Sequence, residues 1–341
     1  MKISVLDQSY VIDGGTPELA LEQTTELVQY VDEIGYHRYW VSEHHHSEAL
    51  AGSSPEVLIA YLAAKTKRIR IGSGGVMLPH YSAYKVAENF NVLSTLAPGR
   101  IDVGIGRAPG GMPLSTRALQ DLQARDIDTF PEQVQHLISY IDDRWNGEQP
   151  FPGLKATPLP AHKPEVWMLG SSDNSGMVAG QLGLPYAFAH FINSQPGAMD
   201  QAIRKYLRVF QASSRLLQPK VFAAMKIIVA DTDSEANELA LSALHLTHLL
   251  YRGRLQPLVS PKTVSAYPYT ASEFAEIEAM KRTFLIGSVQ TVALKIRELQ
   301  ERYPIEELMA VSPIYDVSAR KRSYALLKQA VDEASSGFTY S

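Results

Sequence analysis

The stretch from residue 69 to residue 107 decides the fold class of this chain. It reads IRIGSGGVML at residues 69–78, SAYKVAENFNVLSTL at 82–96 and PGRIDVGIGR at 98–107. The first and third segments are short apolar runs typical of buried strands, and the second has the length and apolar spacing of an amphipathic helix. Two strands joined through a helix lie parallel in a right-handed crossover. The stretch therefore predicts an α/β protein.

The same alternation continues through the chain. Eight strands are predicted, nearly every one followed by a helix, at residues 3–6, 38–41, 69–78, 101–105, 166–169, 186–189, 221–229 and 308–311. Eight such units close most economically into a (β/α)8 TIM barrel. An open doubly wound sheet is the alternative, but it favours a G-x-G-x-x-G turn after the first strand. The sequence there is LDQSYVIDG, at residues 6–14, so we expect the barrel.

The helix starts carry local signals, and two stretches between the elements are long. Ser54 and Asp233 are the predicted N-caps of helices over residues 54–66 and 234–250. Residues 107–128 and 251–282 exceed the usual βα loop of about 2–6 residues. We expect both to be insertions at the C-terminal rim of one domain spanning the whole chain. For 251–282, a lid over a binding site and a plain surface insertion both remain open.

Composition excludes several classes of function. The chain has 341 residues, with 32 Lys and Arg against 36 Asp and Glu, and the net charge of −4 argues against binding nucleic acid or a membrane surface. The absence of cysteine excludes disulfides, zinc–thiolate sites and a thiol nucleophile. No segment has the roughly 18 consecutive apolar residues of a membrane span. The N-terminal apolar run is too short for a signal peptide. We therefore expect a cytoplasmic protein.

Chemistry in a barrel is expected where strands end at the C-terminal rim. Directly after the predicted strand at 38–41 comes Ser42-Glu43-His44-His45-His46. One interpretation is an imidazole that gives or takes a proton near neutral pH. A metal site is a second, although adjacent residues do not converge on one ion without a bend and further ligands. Ordinary loop histidines are the third.

The predicted third strand is interrupted by Gly72, Gly74 and Gly75. Glycine inside a strand indicates a bulge or a close approach of the backbone to another group. A flat aromatic cofactor lying on bare backbone would use such a stretch. The spacing by itself favours neither interpretation.

Two further turns have residues suited to phosphate. Arg107 lies within a glycine-rich run over residues 104–111, and an arginine there can form a fork to phosphate. Ser171, Ser172 and Ser175 follow the strand at 166–169, where hydroxyl and N–H groups at a helix start bind anions. Ordinary N-capping also explains these serines. Because both turns belong to one rim, they favour a phosphorylated cofactor or substrate.

Four segments taken together resemble the bacterial-luciferase-like, flavin-dependent oxidoreductases, also described as alkanal-monooxygenase-like. They are YWVSEHH at residues 39–45, IGSGGVMLP at 71–79, PGRIDVGIGR at 98–107 and LGSS at 169–172. Their order and spacing agree with that family, and the resemblance covers essentially the whole chain. The combination is far more specific than any one segment.

The resemblance implies a (β/α)8 barrel that binds FMN at its C-terminal rim and forms a homodimer. It places the FMN phosphate near Arg107 and the turn with Ser171, Ser172 and Ser175. It places the imidazole of His44 beside the flavin as the catalytic group. It also implies a non-prolyl cis peptide near Gly74 and Gly75, against the flavin ring.

The activity implied is that of a two-component monooxygenase acting with O₂ on a small organic substrate. A separate flavin reductase would supply reduced FMN, because no dinucleotide-binding fingerprint is present. The chain departs from light-emitting members, which carry a reactive cysteine at the position of Gly106 and an acidic residue at that of Gly170. We therefore expect a non-luminescent member.

Three alternatives remain open at this point. An F420-dependent enzyme could transfer hydride on the same fold. A flavin-binding protein could store FMN without turnover. A metal hydrolase built on residues 43–46 is the least favoured.

Overall fold

The computed structural model describes residues 1–123, 125–145, 147 and 149–336. Strands and helices alternate along them. The strands are β1 Lys2–Asp7, β2 Arg38–Val41, β3 Arg70–Met77, β4 Ile101–Gly106, β5 Glu165–Gly170, β6 Tyr186–Ala189, β7 Val221–Val229, β8 Leu285–Gly287 and β9 Glu307–Val311. The α-helices are α1 Pro17–Glu33, α2 Pro55–Lys65, α3 Ala83–Leu96, α4 Pro113–Leu119, α5 Phe130–Asp142, α6 Asp173–Gln181, α7 Ala198–Val209, α8 Asp233–Tyr251, α9 Pro261–Ser265, α10 Ala271–Lys281, α11 Val289–Arg302 and α12 Val317–Ser336.

Eight of these strands close into a barrel. They pair in the order β6-β5-β4-β3-β2-β1-β9-β7, and pairing of β6 with β7 completes the ring. All neighbours run parallel. The predicted (β/α)8 TIM barrel is therefore confirmed.

The short strand β8 is absent from the sequence-based prediction. It pairs only with the end of β7, at Ile227, Ile228 and Val229. Three residues cannot display the period of two that identifies a strand, and β8 directly follows the 251–282 insertion. The sequence therefore offers no signal for it.

Of the two predicted N-caps, Ser54 occupies the N-cap position and Asp233 does not. Ser54 makes no side-chain cap hydrogen bond at the start of α2. The cap of α8 is Thr232, whose hydroxyl accepts the N–H of Glu235 at 3.1 Å. Asp233 instead accepts the N–H of Ser288 at 2.6 Å, so its carboxylate joins two barrel units. A helix signature does not show which of two adjacent polar residues turns inward.

Apolar side chains fill the barrel along its axis and the layer between strands and helices. The interior cluster includes Leu6, Trp40, Trp167, Phe222 and Met309. The larger cluster between barrel and helices draws on residues from Ile3 to Ala334. A core of this kind is expected where parallel strands are covered by helices.

A buried ion cluster forms the floor of the barrel, where the strands begin. The guanidinium of Arg38 is fully buried and donates to Glu307 Oε1 and Asp102 Oδ2, both at 2.6 Å. Arg70 donates to the other oxygen of Asp102, and Trp40 Nε1 donates to Asp102 Oδ2 at 2.9 Å. Burial acts to raise the pKa of Asp102, but the charges of Arg38 and Arg70 hold it below its usual value. Asp102 therefore stays ionised at neutral pH.

We expect Arg38→Met to destabilise the protein by about 3–5 kcal/mol, because it leaves buried carboxylates without their main counter-charge. Urea denaturation gives the free energy of unfolding. Arg204→Met is the control: Arg204 pairs with Asp200 at 2.8 Å on an exposed helix face. Such pairs contribute about 1 kcal/mol or less. An Arg38→Met loss no larger than the control's would contradict a structural role for the cluster.

Candidate active site

A cavity of about 410 Å³ lies inside the barrel towards the ends of the strands. Its apolar wall is formed by side chains that point inward from five strands: Leu6, Trp40, Leu169, Phe222, Ala224 and Met309. Polar groups are concentrated on the side of β4 and β5. The cavity therefore has an apolar body and one polar edge.

Six of the seven residues that the sequence predicts for the site line this cavity: Gly74, Gly75, Arg107, Ser171, Ser172 and Ser175. The peptide between Gly74 and Gly75 is cis, as the resemblance implied. His44 lies outside the lining, in the loop after β2, where its backbone N–H donates to Gly52 O at 2.8 Å. The structure thus groups the phosphate-suited turns and leaves the imidazole at the margin.

The glycines of β3 and β4 are required by the packing of the two strands. A Cβ at Gly75 would lie 2.7 Å from the carbonyl oxygen of Gly104 and 2.3 Å from Leu169 Cδ1. A Cβ at Gly104 would lie 2.2 Å from the carbonyl oxygen of Ser73. The register of β3 against β4 shifts between Gly74 and Val76, so the bulge interpretation is correct. The group that approaches closely is the neighbouring strand.

The serine turn is held by a capping box at the start of α6. Ser172 Oγ accepts the N–H of Ser175, and Ser175 Oγ donates to Ser172 O at 2.6 Å. Ser175 Oγ also bonds the Tyr186 hydroxyl at 2.9 Å, and Asn193 Nδ2 donates to Ser171 O at 2.8 Å. Ser172 is therefore a helix cap, and side chains from two other elements fix the turn. Capping and anion binding are compatible here because a cap leaves further N–H groups at the helix start.

Arg107 supplies the charge at this edge. It follows β4 directly, is exposed, and lines the same cavity as the serine turn, which follows the neighbouring strand β5. Asp173 lies in the same turn as the serines, but its carboxylate accepts the N–H of Asn174 at 2.9 Å. A cationic side chain and a helix start thus share one edge of an otherwise apolar cavity.

Glu43 organises the rim, and sequence reasoning missed this role. The side chain is buried; Oε1 accepts the Tyr81 hydroxyl at 2.7 Å and lies 2.7 Å from His45 Nε2. Oε2 accepts the N–H of Met77, which lines the cavity, at 3.0 Å. The N–H of His45 donates to Gly110 O at 2.9 Å. Glu43 therefore ties the loop after β2 to the end of β3. The sequence signal that could have indicated this role is an acidic residue beside histidines, directly after a buried strand.

His44 has a pKa far from its ordinary value. Burial lowers it to about 4, with a smaller effect from the charge of His45. Burial and the charge of Lys226 lower the pKa of His190, at the opposite side of the rim, to about 4 as well. Both rings are therefore neutral at neutral pH. A neutral imidazole can accept a proton or a hydrogen bond, but it does not add positive charge to the cavity.

The two insertions relate differently to the cavity. Ala108, Pro109 and Ile127 of the first insertion line it, whereas the lining includes no residue of 251–282. In the second insertion, Leu258 forms an isolated bridge with Ile12 and packs in a cluster over the rim. The first insertion therefore forms part of the cavity wall, and the second covers neighbouring loops.

Two findings concern other kinds of site. Among the described residues, the structure brings together no group of three or more His, Asp or Glu side chains suited to a metal ion. No described helix combines the length and apolar composition needed to cross a membrane.

Comparison with known proteins gives the family. Residues 1–304 match the family model described as luciferase-like monooxygenase. The chain belongs to the luciferase-like monooxygenase family. The N-acetyl-S-alkylcysteine monooxygenase of Bacillus subtilis is 38% identical to this luciferase-like chain over 334 residues, covering 97% of it and 98% of the relative. The crystal structure of apo-MsnO8 superposes with a TM-score of 0.88 at 34% identity, covering 97% and 98% of the two chains.

More distant relatives of this luciferase-like monooxygenase include one curated protein and two solved structures. The oxygenase component of the flavin-dependent trigonelline monooxygenase from Acinetobacter baylyi is 24% identical over 314 residues, 84% of this chain and 82% of that one. At 19% and 14% identity, two solved structures share the fold alone. One is the oxygenating constituent of 3,6-diketocamphane monooxygenase from Pseudomonas putida with FMN, with a TM-score of 0.71 and 98% of both chains covered. The other is an F420-dependent secondary alcohol dehydrogenase, with a TM-score of 0.68 and the same coverage.

The lowered histidine pKa values predict how the stability of the folded protein falls at acidic pH. His37, His44 and His190 all have a pKa of about 4 in the folded protein, against 6.5 as the ordinary value. Between these values the unfolded chain binds more protons than the folded one, so stability falls as pH drops from about 6.5 to about 4. Denaturant unfolding at several pH values measures this slope. We expect His44→Gln to flatten it and His162→Gln, at an exposed position, to leave it unchanged. A flat curve for the native protein in this window would contradict the prediction.

We expect Gly75→Ala to lower the free energy of unfolding by about 1–3 kcal/mol, since its methyl group overlaps the backbone of β4. Gly106→Ala is the matched control on the same cavity wall. A Cβ there meets only the end of the flexible Met77 side chain, at 3.2 Å. Thermal and urea unfolding compare the two variants. Equal stability would show that β3 and β4 can separate without cost.

Proposed function

We propose that this chain is the oxygenase component of a two-component, FMN-dependent monooxygenase that acts with O₂ on a small organic substrate. The observation that carries the proposal is the asymmetry of the cavity. One edge holds Arg107 and the serine turn at the start of α6, and the remaining wall is apolar. This matches a ligand with a flat, largely apolar ring and a phosphate tail. The volume falls within the usual range for such sites, about 300–1,000 Å³.

The residues present fit FMN. Arg107 would pair with the phosphate, and Ser171, Ser172 and Ser175 would offer hydroxyl and N–H groups to it. The glycine backbone of β3 would face the ring system. When bound, reduced FMN supplies the electrons for the activation of oxygen.

The chain's own groups would position the reactants and exclude water. The apolar cavity wall keeps water away from the reaction centre, which protects reactive species from hydrolysis and stray proton transfer. We assign the imidazole of His44 to proton transfer at the rim. Because its pKa is about 4, it would act first as a proton acceptor at neutral pH. Glu43 holds the loop that carries it.

Supply of the reduced flavin requires a partner. A relative named as an oxygenase component supports a separate, transiently bound flavin reductase. The absence of a G-x-G-x-x-G turn after the first strand agrees with this, because nothing in the sequence marks an NAD(P)H site. A cytoplasmic location, where reductases keep flavin reduced, is part of the proposal.

A homodimer is also part of the proposal. The adjacent helices α2 and α3 carry large apolar side chains that are exposed at i and i+4 spacing: Val57, Tyr61, Val92 and Leu96. Exposed apolar side chains on neighbouring helices are a feature of protein–protein interaction sites. Sedimentation equilibrium of the native protein tests it.

Arg107→Met should weaken binding of reduced FMN about tenfold or more without changing stability, because a charge-assisted hydrogen bond contributes about 1.5–3 kcal/mol and the side chain is exposed. Arg117→Met is the control, since Arg117 is exposed on α4 of the same insertion and does not line the cavity. Anaerobic fluorescence titration with photoreduced FMN gives the dissociation constants.

The same titration separates the alternative cofactors. We expect reduced FMN to bind more tightly than oxidised FMN or F420, and its oxidation by O₂ to be slower on the protein than in solution. Tighter binding of F420 would favour a hydride-transfer enzyme. Tight binding of oxidised FMN with no protection from O₂ would favour a storage protein. Either result would contradict the proposed monooxygenase.

A further inference from the structure

A buried lysine lies on the side of the barrel mouth opposite the glycine wall. Lys226 is on β7, and only 7% of it is exposed. Alternate residues of a strand share a face, so Lys226 follows Phe222 and Ala224, which line the cavity, towards the rim. Its neighbour on β9 is Val311, a member of the interior cluster. In the eight-strand ring, β7 is four strands from β3 and so faces Gly74 and Gly75.

The ammonium of Lys226 has no acidic partner among the described residues. Its contacts there are a hydrogen bond to Thr247 Oγ1 and the face of the Phe284 ring, 4.9 Å from the ring centroid. The ion pairs of the described chain do not include it. Buried lysines are almost always paired with a carboxylate, so this arrangement is exceptional.

Thr247 orients the ammonium and leaves it free to bind something else. The Thr247 hydroxyl donates its proton to Ala243 O at 2.7 Å, so it accepts from Lys226 and cannot itself donate to a ligand. An ammonium has three N–H donors, and Thr247 takes one. The other donors are available to an anion that arrives from the cavity.

The surroundings fit a single negative charge. The loop after β6 offers His190, whose pKa is lowered by burial and by the charge of Lys226, so its ring is neutral at neutral pH. The helix α8 and the segment before β8 contribute the uncharged Thr247 and Phe284. Burial lowers the pKa of Lys226 to about 7, so a bound anion would restore its proton. Arg107, the residue suited to phosphate, lies on the β4 side of the cavity.

The cavity lining on β7 ends at Ala224, one inward-facing position short of Lys226. Ala189 and Phe191, on either side of His190, line the cavity, and the Phe191 N–H donates to Ala224 O at 3.1 Å. The loop after β6 is thus fastened to β7 one inward-facing position below Lys226. Lys226 itself is absent from the lining, so a ligand must extend past Ala224 towards the rim to reach the ammonium.

We propose that Lys226 is a specificity-determining residue that binds the carboxylate of the organic substrate, and that the enzyme therefore prefers carboxylate-bearing substrates to neutral ones of the same size. The proposal rests on the proposed function, because it places the substrate between β7 and a flavin on the β3 side. A carboxylate at this point would neutralise the buried charge and hold the rest of the molecule over the cavity.

The test measures binding of matched acids and alcohols to the flavin-free protein by isothermal titration calorimetry. The probes are acetate, hexanoate and benzoate, with hexanol and benzyl alcohol as neutral counterparts. We expect the native protein to bind hexanoate or benzoate at least about tenfold more tightly than the matching alcohol. Buffers of different ionisation enthalpy should show proton uptake on binding of the acid.

Three variants locate the effect. Lys226→Met should abolish the preference for the acid and the proton uptake, whereas Lys226→Arg should keep the preference. Lys220→Met is the matched control, because Lys220 lies just before the opposite end of β7, 4.0 Å from Glu165. It should bind like the native protein. Unfolding of Lys226→Met near pH 6 should show stability equal to or above native, since it removes an unpaired buried charge.

Two results would overturn the proposal. One is that no carboxylate probe binds more tightly to the native protein than to Lys226→Met. The other is that Lys226→Met loses stability while acid and alcohol bind alike, which would make Lys226 structural. Titration with reduced FMN, run separately on Lys226→Met, keeps the two questions apart. If Lys226→Met binds reduced FMN as the native protein does, the proposed monooxygenase function is unaffected by this test. If the variant loses only flavin binding, the ammonium belongs to the cofactor site and the proposed carboxylate site is contradicted.

Discussion

The buried guanidinium of Arg38 is the constraint on which the rest of this structure depends. It joins β2 to β4 through Asp102 and to β9 through Glu307, at the end of the barrel where the strands begin. A fully buried ion cluster has few alternative arrangements, because any misplaced strand would leave a charge unpaired. The floor is thereby closed and polar, and Trp40 links it to the apolar interior by donating to Asp102.

A closed floor leaves the other end of the barrel for chemistry. Above the floor the interior is filled by large rings, Trp40, Trp167 and Phe222, and the cavity begins where these end. The wall on β3 and β4 is glycine backbone, because the two strands approach too closely for Cβ atoms at Gly75 and Gly104. The close approach of β3 and β4 therefore has two consequences. It requires glycine at these positions, and it leaves a bare backbone surface on which a flat ligand could lie.

The rim divides into two charged sides around this apolar cavity. On the β4 and β5 side, Arg107 and the α6 start suit a phosphate, and the turn is rigid because the capping box and Tyr186 hold it. On the β7 side a single ammonium, Lys226, lies under α8. Glu43 fixes the loop between them by bonds to β3 and to Tyr81. Cofactor and substrate would accordingly be recognised by charges on different strands.

The sequence by itself determined the barrel and most of its phosphate-suited edge. Apolar period, glycine runs and Arg107 are local signals, and the rule that parallel strands end at one rim placed Gly74, Gly75 and the serine turn together. Only the tertiary structure decided that His44 lies outside the cavity lining and that Glu43 holds the rim. It alone also decided that Lys226 has no carboxylate partner among the residues that the structure describes. Those facts depend on which side chains meet across strands that are distant in sequence. Contacts between such residues do not produce a periodic pattern in the amino-acid sequence.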